Sequence, residues 1–283
     1  MNKLPISVFA VIYNNEDVLD RCLASCQDFA DEIIIIHDGP CSDRSIEIAK
    51  KYTDKIYITA ERMGIPCMHR VTGLEKVSND WVLVLDADEF VSDELKAHLP
   101  ELINQSEYQG YDLIWPTLYQ GHYYKFYRKR ALFNKKFFYL IGAPSEFFQP
   151  VNQAVKIKKL NFGLEHRPNY DNLSLRTFKR KWTSWCKIHA DYYLRDFSGF
   201  IRYNCPPEIK DWPPRVRIRI NHPLLFGILG SLVFYNCLGI KDFIKTRKFI
   251  VLKAGFLHSL FHILTYYYIW QYKKIKRDGY KTI

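Results

Sequence analysis

Two aspartates, Asp86 and Asp88, directly follow an apolar run of strand length, Trp81–Leu85. Residues i and i+2 of an extended chain point to the same side, so both carboxylates can approach one cation. Mg²⁺ and Mn²⁺ prefer hard oxygen ligands of this kind and often share them with the diphosphate of a substrate. Solvated strand ends also carry Asp-x-Asp sequences, so the pair alone leaves two interpretations open, a divalent-cation site and an ordinary strand end.

The chain before this pair alternates between strand and helix patterns. Apolar runs predict strands at Ile6–Tyr13, Ile33–Ile36, Lys55–Thr59 and Trp81–Leu85. Helices are predicted over Glu16–Asp28 with a cap at Asn14 or Asn15, from a Ser42 cap to about Tyr52, and over Ile65–Ser78. This alternation predicts an α/β fold with a mainly parallel sheet and helices on both faces. Such sheets bind ligands at the carboxyl ends of their strands.

The middle of the chain is less regular. Aromatic runs predict strands at Tyr111–Tyr119, Tyr123–Tyr127 and Phe137–Ile141, followed by a helix around Leu173–Arg195. The proline-rich segment Cys205–Pro214 predicts a linker.

The net charge of +11 is unevenly distributed along the chain. Residues 1–100 carry 10 Lys and Arg against 18 Asp and Glu, whereas residues 101–283 carry 31 against 12. A basic half can serve nucleic acid, an anionic membrane or a phosphorylated substrate. No nucleic-acid-binding motif is recognisable, so we predict no nucleic-acid partner. The seven cysteines are scattered without a Cys-x-x-Cys pair, which favours neither a zinc site nor a disulfide framework.

Two long apolar runs, Leu224–Ile240 and Ala254–Tyr272, mark the end of the chain. Basic clusters precede, separate and follow them, and the separating segment Lys241–Lys253 carries five basic residues and one acid. Short translocated loops are normally poor in Lys and Arg, which argues against a spanning hairpin. We therefore predict helices that lie in the membrane interface or a shallow re-entrant pair. A buried helical subdomain is the alternative.

Three segments occur in a characteristic order and spacing, namely ISVFAVIYNNE (residues 6–16), IIIIHDGPCSD (33–43) and NDWVLVLDADEFVS (79–92). Together they resemble family 2 glycosyltransferases with the Rossmann-like GT-A fold. The resemblance continues more loosely through KFYRKRALF, GAPSEFF and LEHRPNY to about residue 195. The whole chain resembles the subgroup that modifies lipopolysaccharide cores and other lipid-linked saccharides.

The resemblance implies roles for residues at the strand ends. Those expected to border the nucleoside of a nucleotide-sugar donor are Tyr13, Asn14, Glu16 and Asp38, the last against the base. The usual Asp-Asp-Gly-Ser is replaced by His37-Asp38-Gly39 with two residues inserted before Ser42, which leaves the role of Asp43 open. Asp86 and Asp88 are expected to hold Mg²⁺ or Mn²⁺ and the diphosphate, so that Asp88 also takes part in catalysis.

Further residues follow from the same resemblance. Most members of the family invert the anomeric carbon, which needs a base on the acceptor side. Glu146 is the expected base, with an ordinary loop carboxylate as the alternative and Glu89 or Asp112 next in line. His166 is expected to complete metal or diphosphate binding, and Arg167 to neighbour a phosphate. The basic run at Lys125, Arg128, Lys129 and Arg130 would meet a donor or acceptor phosphate, or is simply a solvated face.

These observations predict a catalytic domain over residues 1–220, with a nucleotide-sugar half of about 1–95 and an acceptor half of about 96–220, and membrane-associated helices over 221–283. The expected activity is transfer of a sugar, UDP-linked in the first instance, to a lipid-anchored saccharide in cell-envelope or lipooligosaccharide biosynthesis. A polyprenyl-phosphate sugar synthase and a catalytically silent membrane-binding module are the alternatives. The N-terminus leads directly into a strand, which predicts no signal peptide. The three basic clusters around the apolar runs predict a location at the cytoplasmic face of the cell membrane. The sequence predicts no oligomeric state.

Overall fold

The computed structural model describes residues 3–119, 122–144, 148–168, 171 and 173–277. Its strands are β1 Leu4–Ile12, β2 Ala30–His37, β3 Ile56–Ile58, β4 Trp81–Asp86, β5 Glu89–Val91, β6 Gly110–Tyr119, β7 His122–Asn134, β8 Phe138–Ile141, β9 Gln149–Pro150, β10 Ile157–His166 and β11 Arg202–Tyr203. Its α-helices are α1 Glu16–Gln27, α2 Ser45–Ala49, α3 Cys67–Lys76, α4 Asp93–Asn104, α5 Leu175–Thr177, α6 Thr183–Leu194, α7 Pro214–Asn221, α8 Gly230–Thr246 and α9 Ile250–Arg277.

An eight-stranded sheet in the described part of the chain has the order β3-β2-β1-β4-β7-β6-β10-β5. The first four strands are parallel, β6 and β10 are also parallel, and β7 and β5 run antiparallel to their neighbours. Parallel strands need crossover connections, and α1, α2 and α3 supply them along the chain from β1 to β4. The predicted mainly parallel α/β sheet is therefore confirmed.

Both faces of the sheet are buried, which explains why its strands are apolar on both sides. Along β1, Val8 and Ala10 pack into one core with α1 and α4, whereas Phe9 packs into the other with α3. An added Cβ on Gly73 of α3 would lie 2.7 Å from the Phe9 ring, so this helix can approach the sheet closely only through a glycine. Helices therefore cover both faces and leave the carboxyl edge of the sheet for function.

The predicted Ser42 cap is wrong. The helix after β2 is only Ser45–Ala49, and its N-cap residue is Arg44. The Ser42 hydroxyl instead accepts a hydrogen bond from Asn14 Nδ2 at 2.7 Å. The carboxylate of Asp43 accepts from the Ser45 amide at 2.9 Å, which gives it the stabilising position at the start of α2.

Other predicted boundaries shift by a few residues. The third strand is shorter than expected, and the third helix begins at Cys67 because Pro66 occupies the N-cap position. In the middle, β6 and β7 form a long hairpin, so the KFYRKRALF segment lies in a strand. The predicted helix around residues 173–195 is present as α5, a π-helical turn Phe178–Trp182 and α6.

The chain divides into two compact units, one of residues 1–169 with 201–206 and one of residues 170–200 with 207–283. This division comes earlier in the chain than the functional boundary at residue 220, which stays a prediction. In the second unit a π-helical turn, Pro223–Leu229, runs directly into α8. We call this continuous element, Pro223–Thr246, the apolar helix. Among the described residues it alone is long and apolar enough to cross a membrane, judged by length and composition, with a mean hydropathy of 1.8.

Candidate active site

The carboxyl ends of β2, β1 and β4 lie side by side at one edge of the sheet. Ile12 pairs with His37, and Val11 pairs with Asp86. The residues that follow these strands, Tyr13 and Asp38, therefore emerge at the same edge as Asp86. The three segments therefore end at one edge of the sheet, and their shared role in one site stays a prediction.

Asp38 is held almost entirely within the protein. Its carboxylate accepts hydrogen bonds from the amides of Met63 and Gly64, at 2.7 and 2.9 Å, and from Nε2 of His69 at 2.7 Å. Burial alone would raise the pKa of this carboxyl, but the three donors lower it. Since a carboxylate offers about four acceptor positions, about one remains for a ligand. Asp38 therefore fixes the loop before α3 as well as facing the edge of the sheet.

Tyr13 is covered by an arginine from the same loop. The guanidinium carbon of Arg62 lies 3.6 Å from the centre of the Tyr13 ring, within the range of a cation–π contact. The backbone of Arg62 in turn packs on Gly39, which has a φ of +88° and would place an added Cβ 2.9 Å from the Arg62 amide nitrogen. A glycine is required there by both the conformation and the space.

Asn14 and Glu16 connect the first two loops of the edge. Asn14 exchanges hydrogen bonds with Ser42, and Glu16 Oε2 accepts from the backbone and side chain of Arg44 at 3.1 Å. Asp43, whose role the sequence leaves open, accepts from the Glu16 amide at 3.1 Å as well as from the amide at the start of α2. It therefore ties the N-termini of α1 and α2 together.

A buried ionic cluster lies behind Asp86. Oδ1 of Asp86 accepts from Arg70 at 2.8 Å, and Oδ2 accepts from Lys129 at 2.9 Å. Lys129 also donates to both oxygens of Glu89, at 2.7 and 2.6 Å, and the Glu89 side chain is fully buried. The antiparallel register of β4 and β7 pairs Leu83 with Leu132, and its continuation brings Lys129 opposite Asp86.

The ionisation of this cluster follows from its composition. Burial opposes the charge of Asp86, but Lys129 and Arg70 together hold the pKa of its carboxyl below the usual range. Burial also disfavours the charged forms of the two bases, whereas the carboxylates keep the pKa of both raised. The pKa of the enclosed Glu89 is raised by burial and by Asp86, despite Lys129. Asp86 is thus a carboxylate already neutralised by protein cations.

Asp88 faces a different partner, His166. Oδ2 of Asp88 lies 3.5 Å from Nε2 of His166, at the end of β10. Nδ1 of His166 lies 3.1 Å from the carbonyl oxygen of Pro116, which can only accept, so Nδ1 carries a proton and Nε2 turns toward Asp88. Burial acts to lower the pKa of His166, but the hydrogen bond to Asp88 and the charge of that carboxylate act more strongly in the opposite direction. The pKa of His166 is therefore raised above its usual value. Oδ2 of Asp88 and Nε2 of His166 can both bind a metal ion, and they face each other. A proton or a cation between these two atoms would stabilise the arrangement.

The donor set of this pair fits a divalent cation. A histidine whose other nitrogen is fixed by a backbone carbonyl is the usual arrangement of a metal-binding imidazole. No group of three or more His, Cys, Asp or Glu side chains is arranged around a metal position among the described residues. Asp88 and His166 would therefore supply two ligands, and the remaining ones would come from substrate phosphate or water. The role of Asp86 as a ligand stays a prediction, since both its oxygens accept from protein cations.

The basic run of KFYRKRALF is divided between the two faces of β7, since successive strand residues alternate. Lys129 joins the cluster behind Asp86, whereas Arg130 donates to Asp112 at 3.0 Å and Arg128 donates to the carbonyl of Leu160. The side chain of Lys125 lies outside the described residues. The run is therefore not one phosphate-binding surface.

The expected base, Glu146, lies outside the described residues, so its role stays a prediction. Of the alternatives, Glu89 is fully buried beneath Lys129, and Asp112 is paired with Arg130. Arg167 pairs with Glu165 at 2.9 Å and is half-exposed. Neither Glu89 nor Asp112 is turned toward an open site.

Sequence reasoning missed Arg62, His69 and Arg70, and it did not separate Lys129 from its neighbours. The first three come from the loop before α3 and from α3 itself, where the sequence shows an ordinary helix pattern. His69 and Arg70 stand out only when it is known which face of α3 is turned toward the sheet edge. The available signal was therefore a helical projection of residues 68–70 against an assumed sheet.

Comparison with known proteins identifies the chain. The sequence profile of glycosyl transferase family 2 matches residues 7–165, more than half of the chain. The chain belongs to glycosyl transferase family 2. The match runs from within β1 to within β10 and covers the sheet edge, the ionic cluster and Asp88, and it ends one residue before His166. The GT-A fold that the motifs of this family implied is therefore the fold of the first unit.

Curated relatives within the family agree with this assignment. An uncharacterised glycosyltransferase of Rickettsia conorii is 28% identical over 248 residues, or 81% of this chain and 85% of that protein. The lipopolysaccharide core biosynthesis glycosyltransferase LpsC of Rhizobium meliloti is 32% identical over 37% of this chain and 39% of that protein. Glycosyltransferase GlyA of Streptococcus pneumoniae is 29% identical over 54% of this chain. The matches span only 21% of GlyA and 40% and 47% of uncharacterised glycosyltransferases of Haemophilus influenzae and Rickettsia typhi.

Two solved structures are similar at a low level. A mannosyltransferase of Pyrobaculum calidifontis in complex with GDP-Man and Mn²⁺ has a TM-score of 0.46 and 12% identity, covering 93% of this chain and 88% of that chain. Residues 1–349 of S. aureus TarS in complex with UDP-GlcNAc have a TM-score of 0.44 and 16% identity, covering 99% and 93%. Likenesses of this size say nothing about substrate.

Proposed function

We propose that this chain is an inverting glycosyltransferase that moves a sugar from a nucleotide-sugar donor, UDP-linked in the first instance, to a lipid-anchored saccharide. The observation that carries the proposal is the edge of the sheet, where Tyr13, Asp38 and Asp88 follow the adjacent strands β1, β2 and β4 and Asp88 faces His166 at the end of β10. Such an edge suits a ligand with an aromatic base at one end and a diphosphate at the other.

The nucleoside would bind at the loops after β1 and β2. The Tyr13 ring offers a stacking surface once Arg62 moves aside, or Arg62 itself stacks on the base. The remaining acceptor position of Asp38 would take one N–H of the base. Asn14 and Glu16 would act through the loops that they join.

The diphosphate would bind near Asp88 and His166, the two residues that would hold a divalent cation. When bound, such a cation neutralises the charge that develops on the leaving diphosphate. Arg70 and Lys129 keep Asp86 in place and offset its charge, so that the donor phosphates meet less negative potential. Glu146 remains the proposed base.

Two observations support a lipid-anchored acceptor, namely the similarity to LpsC, a lipopolysaccharide core biosynthesis glycosyltransferase, and the exposed apolar helix. The same helix favours a second candidate, a polyprenyl-phosphate sugar synthase, whose acceptor is a lipid phosphate. A catalytically silent module is disfavoured, because a silent protein has no need for the Asp88–His166 pair.

A donor screen tests the proposal. Purified protein is incubated with UDP-, GDP- and dTDP-sugars, with Mg²⁺, Mn²⁺ or EDTA, and nucleotide release is measured with lipid extracts as acceptor. We expect release from one nucleotide class that increases when acceptor lipid is added. A radiolabelled sugar then separates a glycolipid product from a polyprenyl-phosphate product by its sensitivity to mild acid. Absence of release from every donor, with folded protein and acceptor present, would refute glycosyl transfer.

A further inference from the structure

The apolar helix contacts the rest of its unit along a narrow stripe of small residues. Its buried positions Gly227, Ser231 and Gly239 face α9. An added Cβ on Gly227 would lie 2.5 Å from the Tyr266 ring, and one on Gly255 of α9 would lie 2.9 Å from Gly239 Cα. The two helices are therefore packed closely along their shared length, and only small residues allow this approach.

The rest of the surface of this helix is apolar and exposed. Exposed fractions are 51% at Leu229, 63% at Val233, 53% at Phe234 and 51% at Ile240. No charged residue is present between residues 224 and 240. The amide of Asn236 donates to the carbonyl of Leu232 within the helix at 2.7 Å, which satisfies this polar group without water. A helix lying half in water would need a polar side, and this stretch has none.

A different face of α9 is covered by a helix with charged residues. Cys186 of α6 donates to the carbonyl of Phe261 at 3.3 Å, and Lys187 of α6 lies 5.5 Å from the centre of the Tyr268 ring. At 3.6 residues per turn, Phe261 lies roughly a third of a turn away from Gly255 on α9. Lys187 is exposed, as are the paired side chains of α6 at Asp191 and Arg195.

The packing of α6 and the apolar helix on α9 argues against a helix that crosses the bilayer. Hydrocarbon cannot surround α9, because charged α6 covers one of its faces. The apolar helix cannot cross alone, because its contacts with α9 extend from Gly227 to Gly239. The helix therefore lies beside α9, and its remaining sides are exposed.

The charged residues at the two ends of the helix indicate which class of lipid this surface would contact. Lys241, Lys245, Arg247 and Lys248 are exposed directly after the apolar stretch, and Arg215 is exposed before it. Each basic side chain near an anionic leaflet strengthens attachment. Exposed Phe249, at the turn into α9, adds an apolar side chain beside this basic group.

We propose that the apolar helix lies in the plane of an anionic lipid leaflet, immersed to about one helix diameter, roughly 10 Å. In this arrangement α9 covers the helix on the water side, and the basic residues at its ends meet the headgroups. The proposal does not depend on the proposed sugar transfer.

Vesicle flotation tests the surface. The full chain is mixed with vesicles of equal parts phosphatidylglycerol and phosphatidylcholine, and the bound fraction is measured. The variant Leu229→Gln/Val233→Gln should bind at least roughly tenfold more weakly, since two apolar side chains no longer enter lipid. The matched control is Ile58→Gln, which removes an equally exposed apolar residue, 52%, from β3 and should bind like the parent.

Several outcomes would overturn the proposal. Flotation of the double variant at the parental level, with circular dichroism confirming that both proteins are folded, would exclude this surface. A parent that forms a stable dimer and does not float would show that a second copy covers the helix. Equal binding to vesicles of phosphatidylcholine alone would exclude the anionic headgroup contribution.

Thiol accessibility tests the orientation. Lys245→Cys and Lys187→Cys are compared in a background with Cys41→Ser, Cys205→Ser and Cys237→Ser, and the protein is added outside sealed vesicles. An impermeant thiol reagent should modify both variants, since both positions stay on the side of addition. Protection of Lys245→Cys alone after binding would mean that the helix crosses the bilayer. In the same background with Cys237 restored, a fluorophore on Cys237 should be quenched by lipids brominated in the acyl chain, and an unquenched label would exclude immersion.

Discussion

The carboxyl edge of the sheet contains paired charges, whereas most of the apolar helix contains no charge. At the edge, carboxylates lie within hydrogen-bond distance of protein cations, as Asp86 does with Arg70 and Lys129. Along the apolar helix no charge is present between residues 224 and 240, and apolar side chains are exposed instead. A buried charge is tolerated only with partners, and an exposed apolar surface of this length needs a covering other than water.

This difference indicates the surroundings that each region suits, a charged ligand at the sheet edge and lipid at the apolar helix. Charges that are already paired and oriented can replace the water around a bound polyphosphate without rearranging. A helix whose backbone N–H groups are paired along its own length can enter lipid without leaving a backbone donor unpaired. The two regions therefore predict separable effects of mutation, with the sheet edge affecting chemistry and folding and the helix affecting attachment.

The largest effect is expected from Lys129→Met, which leaves Asp86 and Glu89 without their shared cation. Breaking a buried ion pair from one side costs about 3–5 kcal/mol, so unfolding in urea should occur at a much lower concentration. The control Lys136→Met removes an exposed partner of Asp80 and should stay within about 0.5 kcal/mol of the parent.

A double variant sharpens this prediction. Lys129→Met/Glu89→Gln removes one carboxylate together with the cation, so it should recover part of the lost stability. Equal stability of Lys129→Met and Lys136→Met would mean that the cluster contributes nothing to folding, and the comparison between the two regions would fail.

The next effect separates Asp88 from Asp86. Asp88→Asn should lower turnover roughly a hundredfold or more, because the leaving diphosphate loses charge stabilisation. It should also weaken Mn²⁺ binding, measured by electron paramagnetic resonance with UDP present, while flotation stays at the parental level. Asp86→Asn should reduce stability as well, because Arg70 and Lys129 both lose the negative charge of this carboxylate and Lys129 keeps only Glu89. Parental turnover of Asp88→Asn, together with insensitivity to EDTA, would remove the proposed metal site.

The smallest effect concerns the helix pair. Gly255→Val places a branched side chain where Gly239 Cα and the Tyr235 carbonyl would lie 2.9 Å from an added Cβ, so it should cost about 1–3 kcal/mol. Gly230→Ala is the matched control, since no atom lies within 4 Å of its added Cβ, and it should stabilise the helix by up to about 1 kcal/mol. Thermal unfolding measures both, and nucleotide release should be unchanged. Similar melting temperatures would mean that the helices are not closely packed.

Much of the sheet was predictable because its strands are apolar on both sides. β1, β2 and β4 read as apolar runs, and the helices between them require parallel pairing. The Ser42 cap was wrong because Asp43, one residue later, competes for the same amide groups. Local capping rules cannot decide between two adjacent acceptors when the loop is also joined to Asn14.

By itself the sequence determined the family, the parallel sheet, and the presence of carboxylates where β4 ends, because these depend on local patterns and on the order of motifs. Only the tertiary structure decided that Asp86 and Asp88 face different partners. That outcome depends on the antiparallel register of β7, which brings Lys129 to Asp86, and on the end of β10, which brings His166 to Asp88. It likewise decided that the apolar helix lies beside α9, because a stripe of small residues allows close packing only where another helix is positioned against it.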